Sequence, residues 1–318
     1  MSDSTPPLPA TPAETPAAKA GPSNLRLRVI WGVIGAALLL GSVWFSPFTF
    51  GLFFAFVQAV MLWEFYRMMR AGGYAPATWL GIGVGLLLFI TASEGYLTSP
   101  VSGDTEDGIH FMNANPFGLL IISSVVCGTL LPLVLLVREM KHWPSAKQPF
   151  VNAATTVFGL LYITLPMTML HLIAFSKDES KYEYSYDYRR IFALLFLIWA
   201  SDIGAYAAGK TFGKHKMAPK ISPGKTWEGW AGGFLMTLIV GWAIGFMLPD
   251  LPLTHRLVAA GVVAVFAPLG DLAESMLKRS VGVKDSGSIM PGHGGLLDRF
   301  DAFLLVLPVL ALLQLLAG

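Results

Sequence analysis

Nine stretches of apolar residues recur along this chain, each close to the length that crosses a bilayer, and they restrict the possible folds more than any other feature. About 20 consecutive apolar residues span the hydrocarbon core of a membrane. The stretches fall at 29–47, 49–66, 77–93, 117–137, 151–174, 189–208, 228–248, 257–277 and 299–317. Of 318 residues, 54% are hydrophobic and only 13% are charged, whereas soluble domains carry about 25% charged residues. A water-soluble protein of this size has too little interior to hide that much apolar surface. Backbone polar groups in lipid must be satisfied within each segment, which selects helices. The expected fold is therefore all-α and polytopic, with about nine transmembrane helices. A short turn at Ser46-Pro47 makes the first two a helical hairpin, and Pro132, Pro166, Pro268 and Pro308 are expected to kink their helices.

Residues 1–24 are rich in Pro, Ala, Ser and Thr and poor in large apolar side chains. Such a segment cannot offset its ordering entropy and reads as a disordered tail. It is not a signal peptide, because the apolar run comes late and more spans follow. Residues 25–318 form one transmembrane domain. With the N-terminus in the cytoplasm and the sides alternating, the cytoplasmic segments take all of the 22 lysines and arginines except Lys177, Lys181, Arg189, Arg190 and Arg256. That asymmetry fits the positive-inside rule. The acidic 94–116 loop and the tyrosine-rich 176–188 loop then lie outside, the latter as an interfacial cap. The lone Cys127 excludes an intrachain disulfide framework and reads as a small core hydrophobe.

Two cytoplasmic segments hold most of the unusual residues. Ser201–Trp230 carries five lysines, several glycines, and carboxylates at both ends, Asp202 and Glu228. Asp271–Asp301 carries Asp271, Glu274, Asp285, Asp298 and Asp301 beside Lys278, Arg279, Lys284, His293 and Arg299. Asp271, Glu274, Ser275 and Lys278 are spaced i, i+3, i+4, i+7 and share one helix face. Asp298 and Asp301 share a face at the start of the last helix. Acids near a membrane edge are expensive unless they face protein, water or a cation. Hard oxygen ligands of this kind suit Mg²⁺ together with substrate phosphates. The surrounding Lys and Arg would neutralise polyphosphate charge, and the loop glycines allow an anion nest. Pro223-Gly224-Lys225-Thr226 resembles a phosphate loop only loosely, because Pro219 stands where a Walker A glycine would be. Lys210, Lys214, Lys216 and Lys220 equally suit headgroup anchors, and His293 equally suits a loop cap. His142 and His215 read as surface residues, and Glu64 as a helix-packing or interfacial residue. Transporters place such acids near the bilayer midplane, often on broken helices with internal repeats. Here they cluster at one edge, and no repeat is evident.

Residues 275–301 read Ser275-x-x-Lys278-Arg279, then Lys284-Asp285, then Pro291-Gly292-His293-Gly294-Gly295-x-x-Asp298-Arg299-x-Asp301. This pattern resembles the signature of the phosphatidate cytidylyltransferases, or CDP-diacylglycerol synthases. Upstream, Asp202-x-Gly204-Ala205-Tyr206 and Ser222-Pro223-x-Lys225-Thr226-x-Glu228-Gly229 are similar to a second block of that family. Met290 departs from the pattern, standing where another apolar residue is expected. The signature disfavours a related polyprenol or phytol kinase. The resemblance implies Mg²⁺-dependent transfer of CMP from CTP to phosphatidic acid at the cytoplasmic face of the inner cell membrane. It implies Asp271 and Asp298 as metal ligands, with Asp301 and Glu274 close behind, and Asp271, Asp298, Asp301 and Lys278 as catalytic residues. Ser222, Lys225, Thr226, Glu228, Ser275, Arg279, Lys284, Asp285, His293 and Arg299 would bind substrate. A second, monovalent cation and a homodimer are further implications; no nucleic-acid partner is expected.

Overall fold

A computed structural model of the chain describes residues 24–97, 116–144, 148–178, 183–289 and 294–316. Residues 1–23 of the expected tail, most of the 94–116 loop, and Met290, Pro291, Gly292 and His293 lie outside these residues.

Helices dominate. In chain order they are α1 (Asn24–Phe45), α2 (Pro47–Ala71), α3 (Thr78–Leu97), α4 (Pro116–His142), α5 (Pro149–Gly159), α6 (Leu165–Ala174), α7 (Tyr188–Phe212), α8 (Trp227–Ala243), α9 (Leu253–Ser280) and α10 (Leu297–Leu316). Among the described residues, seven helical segments are long and apolar enough to cross a membrane, with α5 and α6 counting as one. The apolar parts of α1 and α3, Val29–Phe45 and Thr78–Glu94, are shorter. The chain is thus an α-helical, multi-pass membrane protein. Phe50, Phe54, Met61 and Phe65 of α2 pack with Phe303, Val306 and Leu307 of α10 in a continuous core. At the periphery α4 leaves Ile121, Val125 and Leu133 more than half exposed, as a lipid-facing helix must.

The turn between α1 and α2 is a reciprocal cap. Ser46 Oγ accepts from Thr49 N at 3.1 Å, and Ser46 N donates to Thr49 Oγ1 at 3.1 Å. Pro47 occupies the first helical turn, where its missing N–H costs nothing. At Pro166 the chain answers the expected kink with a π-helical turn, Leu160–Thr164, between α5 and α6. Widening the helix there relieves the clash between the proline ring and the carbonyl one turn earlier. Pro268 in α9 releases the carbonyl of Ala264, and Trp230 Nε1 of α8 donates to it at 3.2 Å. A neighbouring helix thus supplies the donor that the proline removed.

Two antiparallel hairpins interrupt the all-helical expectation. Strands β1 (Phe175–Asp178) and β2 (Glu183–Tyr186) pair Phe175 with Tyr186 in the segment expected to be a tyrosine-rich interfacial loop. Tyr186 Oη donates to Val43 O of α1 at 2.7 Å. Strands β3 (Lys216–Ala218) and β4 (Ser222–Thr226) form the second hairpin, between α7 and α8. Those two helices meet through small residues. A β-carbon on Gly233 would lie 2.7 Å from Ser201 O, so the backbones approach closely. α9 and α10 meet in the same way, because a β-carbon on Gly270 would lie 2.6 Å from Asp301 O. That contact falls beside the acids of both helices.

Candidate active site

The i, i+3, i+4, i+7 face of α9 is real. Ser275 Oγ donates to Asp271 Oδ1 at 3.2 Å, and Lys278 Nζ pairs with Glu274 Oε2 at 2.5 Å. The close approach at Gly270 brings α10 alongside. One carboxylate oxygen each from Asp271, Glu274 and Asp301 then lies within 4.8 Å of the others. Such a group repels itself unless a cation or protons join it. Glu274 is 1% exposed, and its Oε1 has no hydrogen-bond partner. The hydroxyl of Tyr162, carried on the π-helical turn, is likewise buried without a partner and lies within electrostatic reach of Glu274 and Asp301. Buried polar atoms are seldom left unsatisfied. Three converging carboxylates with an orphaned oxygen among them fit a hard divalent cation.

Asp298 stands outside this trio. Its carboxylate accepts from Lys278 Nζ at 2.7 Å, from Gly295 N at 2.8 Å and from Ser286 N at 3.1 Å. It lies directly beside the Glu274 carboxyl of α9, and the Lys278 ammonium bridges the two. Asp298 and Asp301 are three residues apart on α10, so one meets the loop while the other meets the trio.

The β3–β4 hairpin delivers the second cation of the site. Lys225 Nζ pairs with Asp271 Oδ2 at 2.8 Å and donates to Pro268 O at 2.9 Å. Asp202 of α7 lies within electrostatic reach of Asp271, Lys225 and Arg299. Thr226 caps α8, its hydroxyl accepting from Gly229 N at 3.1 Å. Glu228 accepts from Lys214 N at 3.1 Å and pairs with His215 Nδ1 at 2.5 Å. Through these bonds Thr226 and Glu228 shape the hairpin that aims Lys225. They also give His215, exposed as the surface residue read from sequence, a partner. Ser222 begins β4, half-buried. Arg279, Lys284 and Asp285 are exposed at the end of α9 and in the turn beyond it, and Arg299 is exposed on the first turn of α10.

Sequence reading gave too little weight to the end of α2. Glu64 is fully buried and accepts from Leu297 N at 2.8 Å, Leu296 N at 3.2 Å and Ser286 Oγ at 3.3 Å. Arg67 lies over the Trp63 ring and donates to Ser286 O at 3.2 Å. The available signal was a lone carboxylate in an otherwise apolar span; its partners, more than 200 positions away, left no trace in local spacing.

Comparison with known proteins identifies the family. The profile of the cytidylyltransferase family matches residues 26–316. The phosphatidate cytidylyltransferase of Bacillus subtilis is 33% identical over 289 residues, covering 90% of this chain and 96% of that protein. The Haemophilus influenzae protein of the same name is 30% identical over 298 residues, with coverages of 89% and 96%. That of Staphylococcus aureus is 49% identical over a shorter span of 118 residues, 37% of this chain and 45% of that protein. A match that runs through every helix from α1 to α10, in a chain whose acids and lysines converge at one seam, makes this protein a member of the cytidylyltransferase family.

Proposed function

We propose that this protein transfers CMP from CTP to phosphatidic acid, giving CDP-diacylglycerol and pyrophosphate. The observation that carries the reading is the trio Asp271, Glu274 and Asp301 with its orphaned Glu274 oxygen, flanked by Lys225 and Lys278. Anionic ligands alone would repel phosphates, and basic side chains alone would not need buried acids. Together they suit a metal-bound polyphosphate.

The phosphate of phosphatidic acid forms a bond to the α-phosphorus of CTP, and the bond to pyrophosphate breaks. A phosphate monoester has a second pKa near roughly 6 and is already largely ionised at neutral pH, so no strong base is required. The work of the protein is then positioning and charge neutralisation. Lys225 and Lys278 stand beside the acids and balance charge at the reacting phosphates. Arg279, Lys284 and Arg299, exposed around the same seam, take the triphosphate and the leaving pyrophosphate. Ser222 and Ser275 add hydroxyl donors, and His293, flanked in sequence by Gly292 and Gly294, is a further substrate contact. Asp271, Glu274 and Asp301 would hold Mg²⁺, with Asp298 joined to them through Lys278. When bound, the ion neutralises phosphate charge and polarises the reacting phosphoryl group. An apolar groove of about 720 Å³ between α7 and α8, lined by Trp199, Ile203, Met236 and Val240, suits an acyl chain.

The excess of Lys and Arg at the site-bearing ends of the helices supports an active site on the cytoplasmic face of the inner membrane. A homodimer and a second, monovalent cation belong to the same reading.

The test is incubation of the purified protein in detergent with phosphatidic acid, labelled CTP and Mg²⁺, with and without EDTA. Metal-dependent formation of labelled CDP-diacylglycerol and release of pyrophosphate is the expected result. Folded protein that forms no product with several acyl chains would sink the proposal.

A further inference from the structure

We propose that Glu64, acting with Ser286 and Arg67, is a positioning clamp that sets the start of α10 and so brings Asp298 and Asp301 into register with the acids of α9. The inference rests on the reading of Asp271, Glu274 and Asp301 as a cation site.

The first N–H groups of a helix have no partner inside it. Leu297 begins α10, and Glu64 of α2 accepts from its N–H at 2.8 Å and from that of Leu296 at 3.2 Å. The cap of α10 is therefore supplied by another helix. A carboxylate also suits the positive end of the helix dipole. Ser286 is held at every polar group it has. Its N–H goes to Asp298 at 3.1 Å, its hydroxyl to Glu64 at 3.3 Å, and its carbonyl accepts from Arg67 at 3.2 Å. Arg67 is itself steadied over Trp63, 4.8 Å from the ring centroid.

The glycines of the loop record the same contact. A β-carbon on Gly287 or on Gly295 would overlap the Glu64 carboxylate. Part of the glycine pattern in this loop is thus the imprint of Glu64.

Asp298 lies one residue beyond the capped Leu297, and Asp301 one turn further on. A shift in the start of α10 moves both relative to α9. Misplacement by about 1 Å is enough to cost roughly 100-fold in a preorganised site. Glu64 touches none of the trio, so its role is positioning.

The experiment uses the full chain in detergent: the wild type, Glu64→Gln, Ser286→Ala, Arg67→Lys, and Asp271→Asn as reference. Mn²⁺ affinity by electron paramagnetic resonance, kcat, KM for both substrates and thermal unfolding are measured on each. Gln offers one acceptor oxygen and brings two donors, so it cannot satisfy all three donors that Glu64 serves. Glu64→Gln is expected to weaken Mn²⁺ binding and lower kcat by about 10- to 100-fold, the range seen when partners that orient metal ligands are lost. KM for phosphatidic acid should stay near wild type. Ser286→Ala and Arg67→Lys should move the same quantities in the same direction by less, and they carry the test if Glu64→Gln fails to fold. Variants that bind Mn²⁺ as the wild type does and merely unfold at lower temperature would overturn the clamp, leaving Glu64 a packing residue. Wild-type Mn²⁺ binding that Asp271→Asn leaves untouched would instead overturn the cation site on which the clamp depends.

Discussion

Among the described residues, two of the buried polar clusters in this apolar bundle differ in whether they are closed. At the junction of α4, α5 and the 74–78 linker, Glu139 pairs with Arg138 and accepts from Asn152 Nδ2 at 3.2 Å. Asn152 Oδ1 accepts from Ala75 N at 2.8 Å, and Thr156 Oγ1 accepts from Ala77 N at 2.9 Å. Among the described residues, no buried side-chain oxygen or nitrogen of that cluster lacks a partner. At the α9–α10 seam, Glu274 Oε1 and the Tyr162 hydroxyl do lack one. A closed network gains by rigidifying the fold, whereas an open one bears an unmet desolvation cost until something binds. The first cluster reads as structure, and the second as a site.

Substitutions can break or sharpen that contrast. The largest effect is expected from Lys278→Met, which removes the ammonium that bridges the buried Glu274 and Asp298. Loss of one partner from a buried pair costs about 3–5 kcal/mol, readable as unfolding in detergent, and added Mg²⁺ should recover part of it. Next comes Asp271→Asn, which should lower CMP transfer by about 10²–10³-fold, the size associated with losing one preorganised electrostatic partner of a transition state. The protein should remain inserted, and substantial residual turnover would count against the metal role. Glu139→Gln, in the closed cluster, should cost about 1–3 kcal/mol of stability and leave turnover per folded molecule unchanged; a specific loss of activity would erase the distinction between the clusters. The smallest change is expected from Tyr162→Phe. If its hydroxyl serves only a ligand, transfer should fall about tenfold, as for one hydrogen bond to a charged group, with thermal stability unchanged or raised. A less stable but fully active variant would move Tyr162 to the structural side.

What local spacing encodes was legible in the sequence. The α9 face of Asp271, Glu274, Ser275 and Lys278 follows from helical period alone, and the reading of a multi-pass bundle from the length of the apolar stretches. Asp298 and Asp301 were legible as a pair but not as a division of labour, because period cannot say which neighbour each will meet. The hairpins escaped because β3 and β4 have three and five residues, too few for an alternation of polar and apolar positions to emerge. Lys225 was visible as a basic residue in a glycine-rich segment, but its partner Asp271 was not. The bonds by which Thr226 and Glu228 shape the hairpin were hidden for the same reason. Glu64 looked like a packing residue, and burial bears that out; its three distant donors belong to tertiary contact and have no local signature.

The cap of α10 has a consequence for how the protein is made. Glu64 and Leu297 are 233 positions apart. At about 5–20 residues per second, a ribosome takes roughly 12–47 s to travel between them. Through that interval α2 is already synthesised, and its carboxylate lacks the donors it will finally serve. The seam cannot close while the nascent chain is shorter than α10, so the acids stay unassembled until translation has passed the last of them. Chains released early would therefore lack the assembled seam, whatever number of their helices had entered the membrane.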